Sequence, residues 1–84
     1  MQKQFKLYEQ LLSNPNIIIT FRDFERLLQA FGWKHKRTKG SHRHYVHPSV
    51  PFVLTINPDG KSAHRYQVQR LLEFVEEYGL HIGS

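Results

Sequence analysis

The spacing of apolar residues changes at Gly32, and this change limits the folds that the chain can adopt. Before Gly32, apolar side chains recur every three or four positions, as on one face of a helix: Phe21, Phe24, Leu27, Leu28 and Phe31. After Gly32 the period becomes two, which is typical of a strand with one exposed face. The alternating residues are Trp33, His35 and Arg37 on one side and Lys34 and Lys36 on the other. We expect a helix followed directly by a β-strand.

Both ends of this helix carry capping residues. Thr20 stands at the N-cap position, and Asp23 follows it as a shorter version of the acid in a capping box. Gly32 supplies the left-handed position that closes a helix. These residues predict a helix over residues 21–31.

The rest of the chain extends the pattern to an α+β fold. Residues 42–47 and 52–57 are predicted to form two more strands, joined by short turns that favour an antiparallel meander. Residues 5–13 and 66–78 carry apolar side chains at helical spacing, and residues 17–19 form an apolar connector. The predicted order is α-α-β-β-β-α, a three-stranded antiparallel sheet with helices on one face and an open second face.

Residues 1–84 are expected to form one domain, with residues 1–19 as an N-terminal helical extension of a core at residues 20–80. No repeat, linker or low-complexity tract divides the sequence. A chain of this length buries roughly 60 per cent of its unfolded surface, so we expect a shallow surface site and no cofactor. The sequence has no cysteine, no long apolar run and no signal peptide, so we expect a cytoplasmic protein without a membrane partner.

The balance of charge indicates a class of partner. The sequence has 12 Lys and Arg against 7 Asp and Glu, a formal net charge of +5 with neutral histidines. Such a field attracts phosphates and favours a polyanionic partner. Many small basic domains bind no nucleic acid, so charge alone leaves both alternatives open.

A glycine turn leads a histidine into a strand that is rich in cationic and aromatic side chains, at residues 39–45 (KGSHRHY). Side chains alternate along a strand, so His42 and His44 point to one face while Arg43 and Tyr45 point to the other. If Tyr45 fills the core, His42 lies on the open face beside the turn. Histidine exchanges a proton near neutral pH, as the attack of a 2′-hydroxyl on the adjacent RNA phosphodiester requires.

Cationic and turn residues around His42 are candidates for binding the phosphate. The charge that develops on its oxygens is stabilised by side chains and by backbone N–H groups of a glycine turn. The candidates near the turn are Lys39, Gly40, Ser41, Arg43 and His44, and further candidates at the start of the last helix are Lys61 and Arg65. His42 as an ordinary polar strand residue, and Lys61 and Arg65 as solvated helix-start residues, are the alternatives.

Short motifs along most of the chain resemble, in order and spacing, those of the HicA (YcfA-like) toxins. These toxins are small mRNA interferases of bacterial and archaeal toxin–antitoxin systems. The motifs are Leu11-Leu12-Ser13, Phe31-Gly32-Trp33, Lys39-Gly40-Ser41-His42, Tyr45-Val46-His47-Pro48, Gly60-Lys61-Ser62-Ala63, Tyr66-Gln67-Val68 and Tyr78-Gly79-Leu80. The last helix looks like that of the subgroup with an N-terminal extension.

This resemblance implies a fold, an activity and two partners. The fold is that of double-stranded-RNA-binding domains (dsRBD-like), with one helix, three antiparallel strands and a second helix. The implied activity is cleavage of mRNA, the essential histidine falls on His42, and the implied partners are mRNA and an inhibitory HicB-type antitoxin. Proton exchange by a histidine requires no metal, so we expect metal-independent cleavage. Shorter family members end their third strand in Pro-x-His, whereas residues 56–59 here are Ile-Asn-Pro-Asp.

Several alternatives stay open at this stage. The acid–base partner of His42 is unassigned, with His44 and Lys39 as candidates on proximity. A metal site of His42, His44 and His35 is disfavoured, because zinc takes three or four ligands and the strands supply no acid. Alternative functions are a non-catalytic RNA-binding module of the dsRBD type and an interaction protein with an acidic partner.

Overall fold

A computed structural model describes residues 2–83, and its elements follow the predicted order. The helices are α1 (Gln2–Ser13), α2 (Phe21–Ala30) and α3 (Arg65–Tyr78). The strands are β1 (Lys34–Lys39), β2 (His42–His47), β3 (Val50–Ile56), β4 (Pro58–Asp59) and β5 (Ser62–Ala63). Strands β1, β2 and β3 form an antiparallel sheet in that order. The predicted α+β fold with order α-α-β-β-β-α is confirmed, and the β4–β5 hairpin is an addition to it.

Helix α2 has the predicted caps. Thr20 is extended, and its Oγ1 accepts a hydrogen bond from the Asp23 N–H at 3.0 Å. Gly32 follows the helix with a φ of +94°, a left-handed conformation that favours glycine. A Cβ at Gly32 would also lie 3.1 Å from Nε2 of His47, a tight contact that would require a small shift of the imidazole, so the backbone conformation is the main reason for glycine there.

The core lies between the helices and one face of the sheet. The strands contribute the buried residues Tyr45, Leu54 and Ile56, and the helices cover them with buried apolar residues that include Phe24, Leu28, Leu71 and Phe74. Phe52 was predicted on the same face as Leu54, and its ring does stack on that of Phe74, with centroids 6.2 Å apart. The side of the sheet that faces this core is called the helix face below, and the opposite side the open face.

The alternation predicted for β1 is wrong beyond His35. His35 lies opposite Tyr45, but the next paired residue is Arg37, which lies opposite His44, so Lys36 is an extra residue in a β-bulge. Thr38 and Lys39 then lie opposite Arg43 and His42. Arg37 therefore shares a face with His44 and not with His35.

Helix α1 packs back onto the domain along one side only. Leu11 is fully buried, and the Tyr8 ring makes an edge contact with that of Phe31, with centroids 5.1 Å apart. Phe5 and Leu12 remain about half exposed, at 50% and 58%. No helix within residues 2–83 is long and apolar enough to cross a membrane.

The β4–β5 hairpin holds the start of α2. Ser62 bridges Thr20, the Ala63 N–H donates to the Ile19 carbonyl at 2.9 Å, and the Phe21 N–H donates to the Lys61 carbonyl at 2.9 Å. The end of β3 is in turn fixed to α3 by paired amides. Gln67, which is buried, donates from Nε2 to Asn57 Oδ1 at 2.8 Å and accepts from the Asn57 N–H at 3.1 Å.

Replacing Thr20 by Ala removes the N-cap acceptor of α2. We expect Thr20→Ala to lower the free energy of unfolding by about 1 kcal/mol in chemical denaturation, because the Asp23 N–H loses its partner. Thr20→Ser keeps a hydroxyl at the same position and serves as the control. Equal destabilisation by both replacements would show that the hydroxyl does not cap the helix.

Candidate active site and nucleic-acid interface

A two-residue turn joins β1 to β2 and carries the predicted motif. Gly40 and Ser41 form the turn, and the strand residues on either side of it, Lys39 and His42, lie directly opposite each other. Gly40 has a φ of +61°. Among the described residues only glycines have a positive φ, so Ser41, the second turn residue, does not. A positive φ at the first turn position alone is the pattern of a type II′ turn, whose twist matches that of the flanking strands.

His42 lies exposed on the open face, immediately after this turn. Tyr45 is only 1% exposed and fills the core, as the prediction of an open-face position for His42 assumed. Because side chains alternate along β2, His42 and His44 share the open face while Arg43 and Tyr45 share the helix face. A phosphate in solvent therefore has direct access to the imidazole of His42.

The imidazole of His44 is held by a residue of the neighbouring strand. Its Nδ1 lies 2.9 Å from Oγ1 of Thr55, which is its directly opposite residue on β3. His44 is half-buried, in contrast to the exposed His42. The hydrogen bond restricts rotation of the ring and leaves Nε2 as the nitrogen that is free to meet a ligand.

Arg43 is directed to the helix face, away from His42. Its Nη1 donates to both carboxylate oxygens of Glu25 on α2 at 2.6 Å, and its guanidinium lies over the Phe21 ring, 5.2 Å from the centroid. Sequence reasoning grouped Arg43 with the phosphate-binding candidates and missed Glu25. The sequence did contain a signal for Glu25, because this acidic residue lies between Phe21 and Leu28 on the apolar face of a helix.

Tyr45 completes this contact. Its hydroxyl donates to Oε2 of Glu25 at 2.7 Å. Burial, followed by the hydrogen bond to Glu25 and the charge of that carboxylate, raises the pKa of the Tyr45 hydroxyl well above its ordinary value. Tyr45 therefore stays protonated in the physiological range and remains a donor to Glu25. We call the set of Glu25, Arg43 and Tyr45 the Glu25 cluster.

The other two strand histidines are on the helix face. The His35 ring lies against that of Tyr45, with centroids 5.3 Å apart, and its Nε2 is 2.7 Å from Oγ1 of Thr38. His47 has Nε2 2.8 Å from the Phe31 carbonyl and accepts from the Ser49 N–H at 3.0 Å. His35 is thus not gathered with His42 and His44, and no group of three potential metal ligands occurs in residues 2–83.

Lys61 and Arg65 belong to a separate part of the surface. Lys61 is exposed in the turn between β4 and β5, where its carbonyl accepts from the Phe21 N–H. Arg65 is exposed at the first position of α3. The structure thus brings together Lys39, Gly40, Ser41, His42 and His44 around one hairpin, whereas Lys61 lies in the β4–β5 turn and Arg65 on α3.

The strands carry positive charge that nearby acids do not offset. Residues 27–58 contain no Asp or Glu but five cations: Lys34, Lys36, Arg37, Lys39 and Arg43. All six residues of β1 are exposed. Arg43 is paired with Glu25, so the other four form a cationic strip beside the two histidines of the open face.

Comparison with known proteins identifies one family. The sequence model of the family described as HicA toxin of bacterial toxin-antitoxin matches residues 21–75. The match runs from the first residue of α2 into the second half of α3 and includes the whole sheet. No curated protein and no solved structure matches the chain.

The raised pKa of Tyr45 predicts a loss of stability at high pH. The unfolded chain releases this proton near pH 10, whereas the folded protein retains it, so the free energy of unfolding falls as pH rises above about 10. The slope from this group is at most about 1.4 kcal/mol per pH unit. Tyr45→Phe should flatten the dependence in denaturation experiments at pH 8–11.

Tyr66→Phe is the matched control, because Tyr66 is 68% exposed. Its pH dependence should stay close to that of the unaltered protein. Identical slopes for Tyr45→Phe and the unaltered protein would contradict the role of the buried hydroxyl.

Proposed function

The chain belongs to the HicA toxin family of bacterial toxin–antitoxin systems, and on this premise we propose that it is an endoribonuclease that cleaves mRNA in the cytoplasm and so blocks translation. One observation carries the proposal. His42 stands exposed opposite Lys39, on the acid-free face of the sheet. A group that exchanges protons and a fixed positive charge are there within reach of the same phosphate.

The proposed reaction needs two proton transfers. His42 takes the proton from a ribose 2′-hydroxyl, and the oxygen attacks the adjacent phosphorus. The bond from phosphorus to the 5′-oxygen breaks, and that oxygen receives a proton from a second group. The products are a 2′,3′-cyclic phosphate and a 5′-hydroxyl end. Lys39 and the N–H groups of the Gly40–Ser41 turn stabilise the charge on the non-bridging oxygens.

We assign the second proton transfer to His44. Two residues along a strand span about 6.7 Å, which leaves room for a phosphodiester between the rings of His42 and His44. The hydrogen bond to Thr55 gives His44 a fixed orientation, as a general acid requires. Arg43 is given a positioning role through the Glu25 cluster, and Lys61 and Arg65 hold more distant parts of the RNA.

The proposed mechanism uses no metal ion. This part of the proposal is supported by the separation of His35 from His42 and His44. His35, which would be the third ligand, lies against Tyr45 on the helix face. Cleavage should therefore continue in EDTA. Loss of cleavage in EDTA, restored by a divalent cation, would overturn the metal-free mechanism and leave the ribonuclease assignment in place.

We also propose that a cognate HicB-type antitoxin inhibits the protein by covering the open face. The support is the charge of that face, because a cationic strip without acids is complementary to an acidic partner. The same strip supports a second function, a non-catalytic module that binds RNA by shape and charge. RNA binding without cleavage, unaffected by His42→Ala, would favour that module, and the absence of any salt-sensitive RNA affinity would favour a pure interaction protein.

Replacing His42 tests the catalytic assignment. We expect His42→Ala to lower the rate of RNA cleavage at least about 100-fold and to abolish growth arrest, because the base for the 2′-hydroxyl is lost. Circular dichroism and the denaturation midpoint should be unchanged, since His42 is exposed. His81→Ala removes another exposed histidine and is the control. A folded His42→Ala protein that still cleaves RNA at the unaltered rate would contradict the assignment of His42 as the catalytic base.

The role of His44 is tested with a modified leaving group. We expect His44→Ala to lower cleavage of ordinary RNA about 100-fold. A substrate with sulfur in place of the 5′-oxygen needs no proton on departure, so His44→Ala should cleave it at close to the unaltered rate. Lys39→Ala should show no such rescue, because Lys39 acts on the non-bridging oxygens. A His44→Ala protein that fails on both substrates would remove His44 from the role of general acid.

A further inference from the structure

We propose that Arg37 is a phosphate-binding residue of the same site, brought to the open face by the β-bulge at Lys36. This inference rests on the proposed ribonuclease function and adds a residue to it. The sequence pattern placed Arg37 on a face with Trp33 and His35, which are core and core-facing residues in the structure. The pairing of β1 with β2 gives it a different location.

The bulge changes the partner of Arg37. Without it, the pairing of His35 with Tyr45 would continue to place Arg37 opposite Arg43 on the helix face. The extra residue moves Arg37 one step, so that it lies opposite His44. A slip of one residue turns every following side chain of β1 to the other face, which also brings Lys39 opposite His42.

Two pairs of a cation and a histidine therefore lie side by side on the open face. Directly opposite residues in an antiparallel pair have Cβ atoms about 4.5–5.5 Å apart, so the guanidinium of Arg37 reaches the space between His42 and His44. That space is where the phosphodiester lies in the proposed reaction. Guanidinium keeps its charge at every physiological pH and binds two phosphate oxygens at once, which a lysine does not do.

The local structure holds the bulge in place. The Nε2 of His35 lies 2.7 Å from Oγ1 of Thr38, so a hydrogen bond spans the two residues between them, Lys36 and Arg37. Arg37 is exposed, and the strands contain no acid to neutralise it. In contrast, Arg43 is held at 2.6 Å by Glu25 on the opposite face. Arg37 is the arginine of β1 and β2 that is available to a ligand on the open face.

The test compares Arg37→Ala with Lys34→Ala, which removes one positive charge from the same strand. Lys34 is exposed and lies opposite Val46, beyond the histidine pair. We expect Arg37→Ala to lower kcat for RNA cleavage about 100-fold, the size of effect found when one group that stabilises the transition state is removed. Arg37→Lys should recover only part of the loss, and Lys34→Ala should lower kcat about threefold, because it removes one charge of the cationic strip away from the two histidines. Equal losses of kcat in Arg37→Ala and Lys34→Ala would show that Arg37 contributes only a positive charge and no specific phosphate contact, which would overturn the proposal.

A binding measurement separates this proposal from the proposed function. The probe is an oligoribonucleotide with 2′-O-methyl groups throughout, which has no 2′-hydroxyl to attack phosphorus, titrated at several salt concentrations. If the unaltered protein cleaves no RNA, the ribonuclease assignment fails, and the affinity for this probe decides the role of Arg37. An affinity at least tenfold weaker for Arg37→Ala than for Lys34→Ala keeps the phosphate site, whereas equal affinities remove it.

Discussion

The carboxylate of Glu25 on α2 accepts hydrogen bonds from Arg43 and Tyr45, and these contacts set the direction in which β2 faces. Arg43 and Tyr45 lie on either side of His44, so holding them on the helix face turns His42 and His44 outward. The carboxylate is largely shielded from solvent, with 18% of its side chain exposed. Removal of one partner would leave a shielded charge unpaired, which costs more than the intact pair contributes.

The two faces of the sheet thus differ in composition: one packs against the core and the other presents polar side chains. The helix face holds Tyr45, Leu54 and Ile56 in the core, together with the histidines His35 and His47 as structural groups. The strand residues of the open face include no acid, the β1 cations and His42 are exposed, and His44 is half-buried. Such a face presents side chains directly to solvent, so the proposed site requires no deep cleft.

Local signals explain what could be predicted from the sequence. Thr20 and Gly32 are caps that act within a few residues, so α2 could be predicted from the sequence. The burial of Tyr45 indicates which residues of β2 face the core, and the open-face position of His42 follows from it.

Other features depend on contacts between distant parts of the chain. The bulge at Lys36 depends on the pairing of two strands and leaves no mark in the spacing of apolar residues. The contact of Glu25 with Arg43 joins residues 18 positions apart, and β4 and β5 are two residues each, too short for a periodic signal. The catalytic and phosphate-binding roles remain predictions.

Strand β1 is an edge of the sheet, and its outer row of N–H and C=O groups has no neighbouring strand among the described residues. Such an edge is a template for pairing with a strand of another molecule, and lysines along it prevent this by repulsion between copies. The positive charge of β1 therefore disfavours self-association through this edge, in addition to its role in the proposed phosphate site. Because salt screens this repulsion, the colloidal stability of the free protein depends on ionic strength. An acidic strand from another protein would meet no such barrier.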